Sequence, residues 1–439
     1  MKRRDFLKLS AITASSIFMP SSVFGAGEEN MSFDYSVFDS VNFSGDNITN
    51  HSPQILAIFL AGGSSQLAGN LTNFTDMKRL SESSYPNIDI TENGFWNDAG
   101  GEQMEEMLAN NKLSVVRTIF RGEDTNTRSH GIQTVQNQVG SVYATKSGIF
   151  TDILYLLDKN GVIDENTVMP SLSFTGGTPD IYKRGDLQIE PYLNFSSMDS
   201  ELDNPYSMKD NRYLVEGADE VLRNMANEVN SADQTNSLFK KAHENFIRKE
   251  ELSVVVDEIS AQEVSTEFPD NTYGNSIKSS LKMMIHNPDT KLSFMEFGGW
   301  DDHSGAINNY KNRMSDVFKA VKAGTDYLEA EGNRTISIWV FTEFGRNVNL
   351  NKSLGWDHGN IFNLFIAGNN PTYLEMGKII GETEIFKPDL GSNRVYMRPI
   401  ENSESYEPFS IASTIEKIFG ITNPEVLTGY EPINSILKV

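Results

Sequence analysis

Apolar residues along this chain fall into short unbroken runs, separated by longer stretches in which they recur every three or four positions. Residues 54–60 (Gln-Ile-Leu-Ala-Ile-Phe-Leu) form the first run, which stops at Ala61-Gly62-Gly63-Ser64-Ser65. A run without polar alternation predicts a strand buried on both faces. Residues 113–120, 291–297 and 335–341 repeat the pattern, and 363–367 gives a fifth. Helical spacing follows most of them. Residues 307–328 put Ile307, Met314, Val317, Phe318, Val321 and Leu328 on one stripe, and 409–419 repeats that pattern. Gly131 to Gly140 reads as a further helix. Strands alternating with helices predict an α/β fold, a mostly parallel sheet flanked by helices on both faces. In such a sheet the ligand site lies beyond the carboxyl ends of the strands. Residues from about 199 to 265 are polar, charged and helix-prone, which predicts a helical insertion on one side of the sheet. Residues 27–50 are rich in Ser, Asn and Asp and read as a surface loop or linker ahead of one domain spanning 51–439.

The N-terminus changes the picture of where the protein acts. Lys2-Arg3-Arg4-Asp5-Phe6-Leu7-Lys8 precedes a weakly apolar stretch to Met19 and small residues near Val23 to Ala26. Basic region, apolar region and cleavage site in that order predict a twin-arginine signal over residues 1–26, with export to the periplasm or beyond. The apolar part is too short for a permanent span, and no later segment reads as transmembrane. The roughly 410 residues that follow are enough for a large single domain. Removing residues 1–26 moves the formal net charge from −23 to −26, because four basic residues and one acid leave with it. Such acidity argues against nucleic acid or an anionic membrane as partner. An anionic ester would need local positive charge to be held. With no cysteine, disulfides and thiolate metal ligands are both excluded.

Candidate chemistry concentrates in the C-terminal third. Gly298-Gly299-Trp300-Asp301-Asp302-His303 follows the third apolar run, and Gly355-Trp356-Asp357-His358-Gly359 precedes the fifth. Each pairs imidazole with carboxylate, a donor set that zinc, manganese or iron prefers. Thr342-Glu343-Phe344-Gly345-Arg346 lies between them, after the fourth run, and Ser129-His130 follow the second run by a loop. All four groups are expected at one edge of the sheet. Plainer roles stand beside these: Asp301-Asp302-His303 as a helix cap, Asp357-His358-Gly359 as an ordinary turn, Glu343 with Arg346 as a surface pair, and Ser129 as a cap. Ser64 and Ser65 read as turn residues, and His51, His243 and His286 as structural or solvent-facing.

Gly-Trp-Asp-Asp-His-Ser at 299–304, Thr-Glu-Phe-Gly-Arg at 342–346, Trp-Asp-His-Gly at 356–359, Arg-Ser-His at 128–130 and the first strand with Gly62-Gly63 together resemble the domain of unknown function 1501 family. That family resembles the alkaline phosphatase and sulfatase superfamily. The resemblance implies an alkaline-phosphatase-like fold and a metal-dependent hydrolase of phosphate or sulfate esters. Its substrate would be a small anionic ester or a sulfated or phosphorylated glycan. It implies a divalent metal, whether zinc, manganese, magnesium or calcium, on Asp301, His303 and His358, with Glu343 and Asp357 as further oxygen ligands or as groups that orient the imidazoles. Ser129 would be the nucleophile at a helix N-terminus, with Thr127 as fallback, His130 would take part in catalysis, and Arg346 would grip the transferred group's oxygens. One position departs from the pattern. Relatives carry an aspartate shortly after the double glycine, where this chain has Ser64, Ser65 and Gln66, so one of two metal positions would be lost or altered. The alternative is a catalytically degenerate relative that serves as an envelope binding or assembly protein.

Overall fold

The computed structural model describes residues 32–122, 127–175, 177–202, 237–387 and 393–438, together with 220, 221, 224 and 228. The expected signal segment 1–26, and most of the stretch 203–236 within the expected helical insertion, lie outside the described residues. Every element named below belongs to one compact unit, Tyr35–Val439.

Eight strands form the main sheet: β1 (Gln54–Leu60), β2 (Leu113–Phe120), β3 (Ser171–Ser173), β4 (Ser196–Ser197), β5 (Leu292–Phe297), β6 (Ile336–Phe341), β7 (Ile361–Gly368) and β8 (Ile379–Ile380). Their spatial order is β4-β3-β5-β1-β6-β7-β2-β8. β1 is central, in parallel register with β5 (Ile55 opposite Leu292) and with β6 (Gln54 opposite Ile336). β7 is the exception, antiparallel to both of its neighbours, β6 and β2. Its first residue therefore lies at the edge where β1, β2, β5 and β6 end. A separate antiparallel pair is made by β9 (Thr383–Phe386) and β10 (Tyr396–Pro399).

Both faces of the sheet are covered, as the unbroken apolar runs require. Along β1, Leu56, Ile58 and Leu60 feed one buried cluster, and Ile55, Ala57 and Phe59 feed the other. Helix Ala306–Ala330 packs on the first face through Met314, Val317, Phe318, Val321 and Leu328, joined by helix Thr272–His286 through Ile277, Leu281 and Met284. Helices Ile149–Lys159 and Phe409–Ile418 cover the second face through Phe150, Ile153, Leu157, Ile411 and Ile415. Within the polar stretch from 199 to 265 a long helix, Ser237–Ser260, is present. The stretch 27–50 also contains regular structure, a 3₁₀ helix at Tyr35–Ser40 and the start of a short helix at Asp46–His51.

One charged group on the second face bears on the stability of the whole. Lys146 is fully buried, donates to the Val139 carbonyl at 2.9 Å and contacts the equally buried carboxylate of Asp152, which also accepts from Ser147. Val139 ends helix His130–Val139, so the ammonium stands where the helix dipole is negative. Burial pushes the Asp152 carboxyl up, and Lys146 and Ser147 pull it back. Replacing Lys146→Met is expected to destabilise the protein by about 3–5 kcal/mol, because the buried acids Asp152 and Glu416 lose that cation. Lys146→Met combined with Asp152→Leu should recover part of that loss, since Glu416 remains buried without a cation. Urea unfolding of the two variants against the parent checks both outcomes.

Candidate metal centre

Four loops at the carboxyl edge of the sheet supply the polar groups. The chain leaves β1 through Gly62 and Gly63, leaves β5 through Trp300 and Asp301, leaves β6 through Glu343 and Arg346, and enters β7 from Trp356, Asp357 and His358. Gly62 is needed as glycine. It sits at φ +123°, and a Cβ there would lie 2.6 Å from the Asp301 nitrogen, so only a bare α-carbon lets the β1 and β5 loops touch. The two later motifs also zip together, with Arg346 and His358 bridging antiparallel, Asn347 N–H donating to the Asp357 carbonyl at 2.9 Å and Gly359 N–H donating to the Gly345 carbonyl at 2.8 Å.

Three imidazoles and a carboxylate meet there. His130 Nε2 lies 3.1 Å from His358 Nε2, which lies 3.1 Å from His303 Nε2. Asp301 Oδ1 is 2.9 Å from His303 Nε2, 3.3 Å from His130 Nε2 and 3.8 Å from His358 Nε2. All four candidate ligand atoms fall within 4.8 Å of one another. A four-coordinate zinc with bonds of about 2.0–2.1 Å holds its ligand atoms about 3.3–3.4 Å apart, so these separations suit one ion.

The far nitrogen of each ring fixes which nitrogen is bare. His130 Nδ1 is 2.7 Å from Glu343 Oε1, His358 Nδ1 is 2.7 Å from the Arg128 carbonyl, and His303 Nδ1 is 3.4 Å from Asp357 Oδ1. Carbonyl and carboxylate oxygens only accept, so each Nδ1 carries the hydrogen, and in the neutral ring Nε2 presents a lone pair. Three lone pairs then face one another at close range. That repels unless a cation stands between them. The Arg128 carbonyl reaches His358 because Arg128 adopts φ +48°, a conformation that costs energy in a residue with a side chain.

Electrostatics favour the neutral ring at His358. Burial lowers His358 to about 4, and the Arg346 guanidinium acts the same way against the pull of the Arg128 carbonyl. Burial alone would raise Asp301, but the Arg346 guanidinium, with His303 and His130 behind it, leaves that carboxyl below its ordinary value. Asp357 is likewise held down by Arg394 and His303 against the effect of burial.

The residues expected from the sequence divide into three groups. Asp301, His303 and His358 come together, and His130 joins them through its Nε2 atom, which places it among the candidate ligands and not only beside the chemistry. Glu343 and Asp357 stand behind the rings. Glu343 is 1% exposed, and its oxygens accept from His130 Nδ1–H, from Gly62 N–H at 2.8 Å and from the Thr342 hydroxyl at 2.9 Å. Asp357 accepts from Arg394 Nε at 3.0 Å on its other oxygen. Of their two expected roles, orienting the imidazoles fits these contacts.

Arg346 requires a correction. It is 1% exposed, and all of its nitrogens have protein partners: the carbonyls of Gly62, Gly63, Trp300 and Trp356, His303 Nε2 at 3.4 Å and Asp301 Oδ1 at 2.6 Å. A guanidinium so committed holds the loops and Asp301, and has no fork to offer a substrate. The expected pairing with Glu343 is replaced by pairing with Asp301. Asp302 does not cap the next helix either; that helix has Gly305 at its N-cap, while both Asp302 oxygens accept from Arg313 Nη2 at 2.6 Å.

Ser129 is the N-cap residue of helix His130–Val139, yet its side chain makes no capping bond. Thr127 is exposed. Ser65 instead caps a short turn, accepting from Leu67 N–H at 3.3 Å. Asn137 was not singled out from the sequence. Two turns along from His130 on the same helix face, it donates to the carbonyls of Thr342 and Glu343 at 3.2 and 2.8 Å and so fastens the His130 helix to the end of β6. The seven-residue spacing from His130 was its signal.

Residues 200–405 match the model of a family described as protein of unknown function (DUF1501). That span includes Asp301, His303, Glu343, Arg346, Asp357 and His358, while Ser129 and His130 precede it. No curated protein matches the chain. Among solved structures, Ps i-CgsB in complex with k-i-k-neocarrahexaose is similar at 10% identity and a TM-score of 0.39, with 85% of this chain and 74% of that one covered. The PsFucS1 sulfatase from Pseudoalteromonas sp. is similar at 10% identity and TM-score 0.37, covering 91% and 76%. An alkaline phosphatase from the Antarctic bacterium TAB5 follows at 10% identity and TM-score 0.30, covering 84% and 98%. Overlaps this loose have no bearing on chemistry, which rests on the site.

In the metal-free protein at neutral pH, His130 and His358 are expected as Nδ1–H tautomers. Two-bond nitrogen–proton NMR correlations on labelled protein check this, and an Nε2–H assignment for His358 would contradict the contacts described.

Proposed function

We propose that the protein is an exported, metal-dependent hydrolase of sulfate or phosphate esters. The observation that supports this reading is the set of three Nε2 lone pairs converging with Asp301 Oδ1, each ring held from behind by an acceptor. A divalent ion held there would supply Lewis acidity toward a non-bridging ester oxygen, taken in addition to the four protein donors. Glu343, Asp357 and the Arg128 carbonyl keep the imidazoles aimed, and Arg346 keeps the Asp301 loop in place. Ser129 is the nucleophile in this reading: its hydroxyl is not used as a cap, it adjoins His130, and it stands at the N-terminus of a ten-residue helix whose dipole favours an approaching anion. The substrate class is a small anionic ester or a sulfated or phosphorylated glycan. Export rests on the twin-arginine start of the sequence, and no helix among the described residues is long and apolar enough to cross a membrane.

A second reading has one observation in its favour. Ser65, where the resemblance implies an aspartate, caps a turn by accepting from Leu67 N–H, which fits a degenerate relative acting in envelope binding or assembly. Turnover separates the two. With metal supplied, the parent is expected to hydrolyse an aryl sulfate or an aryl phosphate, and Ser129→Ala to lose at least about a thousandfold in kcat while keeping its metal content. Asp301→Ala with His358→Ala should lose both metal and turnover. Metal-replete protein that cleaves neither ester would overturn the hydrolase reading in favour of the degenerate one.

A further inference from the structure

Away from the metal centre, beside the outer strand β8, a cleft of about 900 Å³ opens between three segments of chain. One wall is formed by residues 70, 72 and 73, the second by residues 378–383, which include β8, and the third by residues 400–404, which follow β10. Arg117 of β2, 7% exposed, lines it as well. That volume is typical of a ligand site. Hydrogen bonds fasten the walls to one another. Asn70 Nδ2 donates to the Thr383 hydroxyl at 2.9 Å, Asn73 Nδ2 to the Thr383 carbonyl at 3.0 Å, Ile400 N–H to the Glu382 carbonyl at 3.1 Å and Glu382 N–H to the Ser403 hydroxyl at 2.7 Å. Arg117 is held by the Gly69 carbonyl, 2.7 Å from its Nε, and by the Asn93 carbonyl, which accepts from Nη2. A cleft stitched in this way is formed before a ligand arrives, so little ordering cost opposes binding.

The lining narrows the class of ligand. Two cations, Arg117 and Lys378, stand among three acids, Glu382, Glu401 and Glu404, so neither a free anion nor a free cation has an advantage there. Asn73, Asn402, Thr72 and Ser435 add amides and hydroxyls, which both donate and accept. Arg117 Nη1 donates to no described residue, and burial lowers the guanidinium only to about 10, so it stays charged at neutral pH. Ile379, Ile380 and Ile400 supply apolar surface between these groups. Donors and acceptors interleaved with small apolar patches complement a molecule that carries hydroxyls on a C–H skeleton. A neutral sugar has that make-up.

We propose that this cleft is a carbohydrate-binding site, separate from the metal centre, that takes a neutral stretch of an oligosaccharide. It goes beyond the hydrolase reading and does not require it. Two segments of chain run from the metal centre to the cleft. The loop after β1 meets Arg346 at Gly62 and Gly63 and reaches the cleft at Asn70. Before β10 stands Arg394, paired with Asp357, and after it Ile400, which lines the cleft. Six residues of extended chain span at most about 22 Å, which bounds the distance from Arg394 to Ile400. An oligosaccharide seated in the cleft is thereby held near the metal centre.

The test reads binding in the cleft and does not require turnover. The full chain is titrated with cellohexaose, laminarihexaose, maltohexaose and agarohexaose, and with inorganic sulfate and phosphate as anion controls. Calorimetry gives the affinity, and amide hydrogen exchange gives the position. At least one hexasaccharide is expected to bind with a Kd below about 1 mM and to slow exchange at residues 70–73, 378–383 and 400–404, while sulfate and phosphate leave those amides unchanged. Arg117→Gln and Asn402→Gly should each weaken that binding at least about tenfold, as for the loss of a hydrogen bond to the ligand. Asn402 has φ +67°, which glycine adopts freely, so the second variant keeps the fold. Failure of every hexasaccharide to protect the cleft, protection by sulfate or phosphate, or binding unchanged in both variants would each overturn the proposal. Cleft binding without ester turnover leaves this proposal standing and removes the hydrolase; ester turnover without protection of the cleft does the reverse.

Discussion

The guanidinium of Arg346, 1% exposed, joins four loops that have no covalent reason to meet. It donates to carbonyls after β1 (Gly62, Gly63), after β5 (Trp300) and before β7 (Trp356), and to the carboxylate of Asp301. Buried cations are tolerated only when their donors are satisfied, so the loops are obliged to present those oxygens together. Gly62 and Gly63 make that possible by letting the backbone approach within reach, and the bridge between Arg346 and His358 carries the constraint on to the third loop. Histidine positions at the centre are therefore set by a residue that is itself absent from the candidate ligand set. Arg346 serves this structural purpose, which its place in the Thr-Glu-Phe-Gly-Arg motif does not display.

Convergence of the motifs also depends on one reversed strand. A mostly parallel sheet brings together residues that follow strands, which accounts for Gly62, Asp301, Glu343 and His130. Asp357 and His358 precede β7, and in a wholly parallel sheet they would have been placed at the opposite edge. β7 runs antiparallel to β6, so its entry point faces the exits of the others. The apolar run at 363–367 had no polarity to declare its direction, because a strand buried on both faces reads the same either way. What made the shared edge legible was the lack of a helical pattern in the 19 residues that separate Phe341, the end of β6, from Ile361, the start of β7. That length would suffice for a parallel crossover, which needs about a dozen residues or more, but such a crossover usually runs through a helix.

Much of the fold was legible for the same reason that its core is large. Unbroken runs marked β1, β2, β5 and β6 to within a residue of their observed bounds, and the stripe from Ile307 to Leu328 marked the helix Ala306–Ala330. Short strands such as β3, β4 and β8 escaped notice, since two or three residues show no periodicity. At the site, residue identity located the histidines, but hydrogen-bond direction decided their roles. Whether an acid binds a metal or braces a ring depends on which donors reach its oxygens, and two of those donors, Gly62 N–H and Arg394 Nε, are a backbone group and a side chain outside the motifs.

The excess of acid in this chain makes the pairing of acids at the centre meaningful. A protein with a formal charge of −23 has acids to spare, yet three of those beside the imidazoles pair with arginines: Asp302 with Arg313, Asp357 with Arg394 and Asp301 with Arg346. Three arginines in this small region lower the negative potential that the rest of the surface would impose, and an anionic ester could not approach without such local relief. Harder cations, which depend on accumulated carboxylate charge, are disfavoured by the same arrangement. Imidazole binds through a lone pair without adding charge, so a histidine-rich centre can hold a borderline ion while leaving room, electrostatically, for an anion beside it.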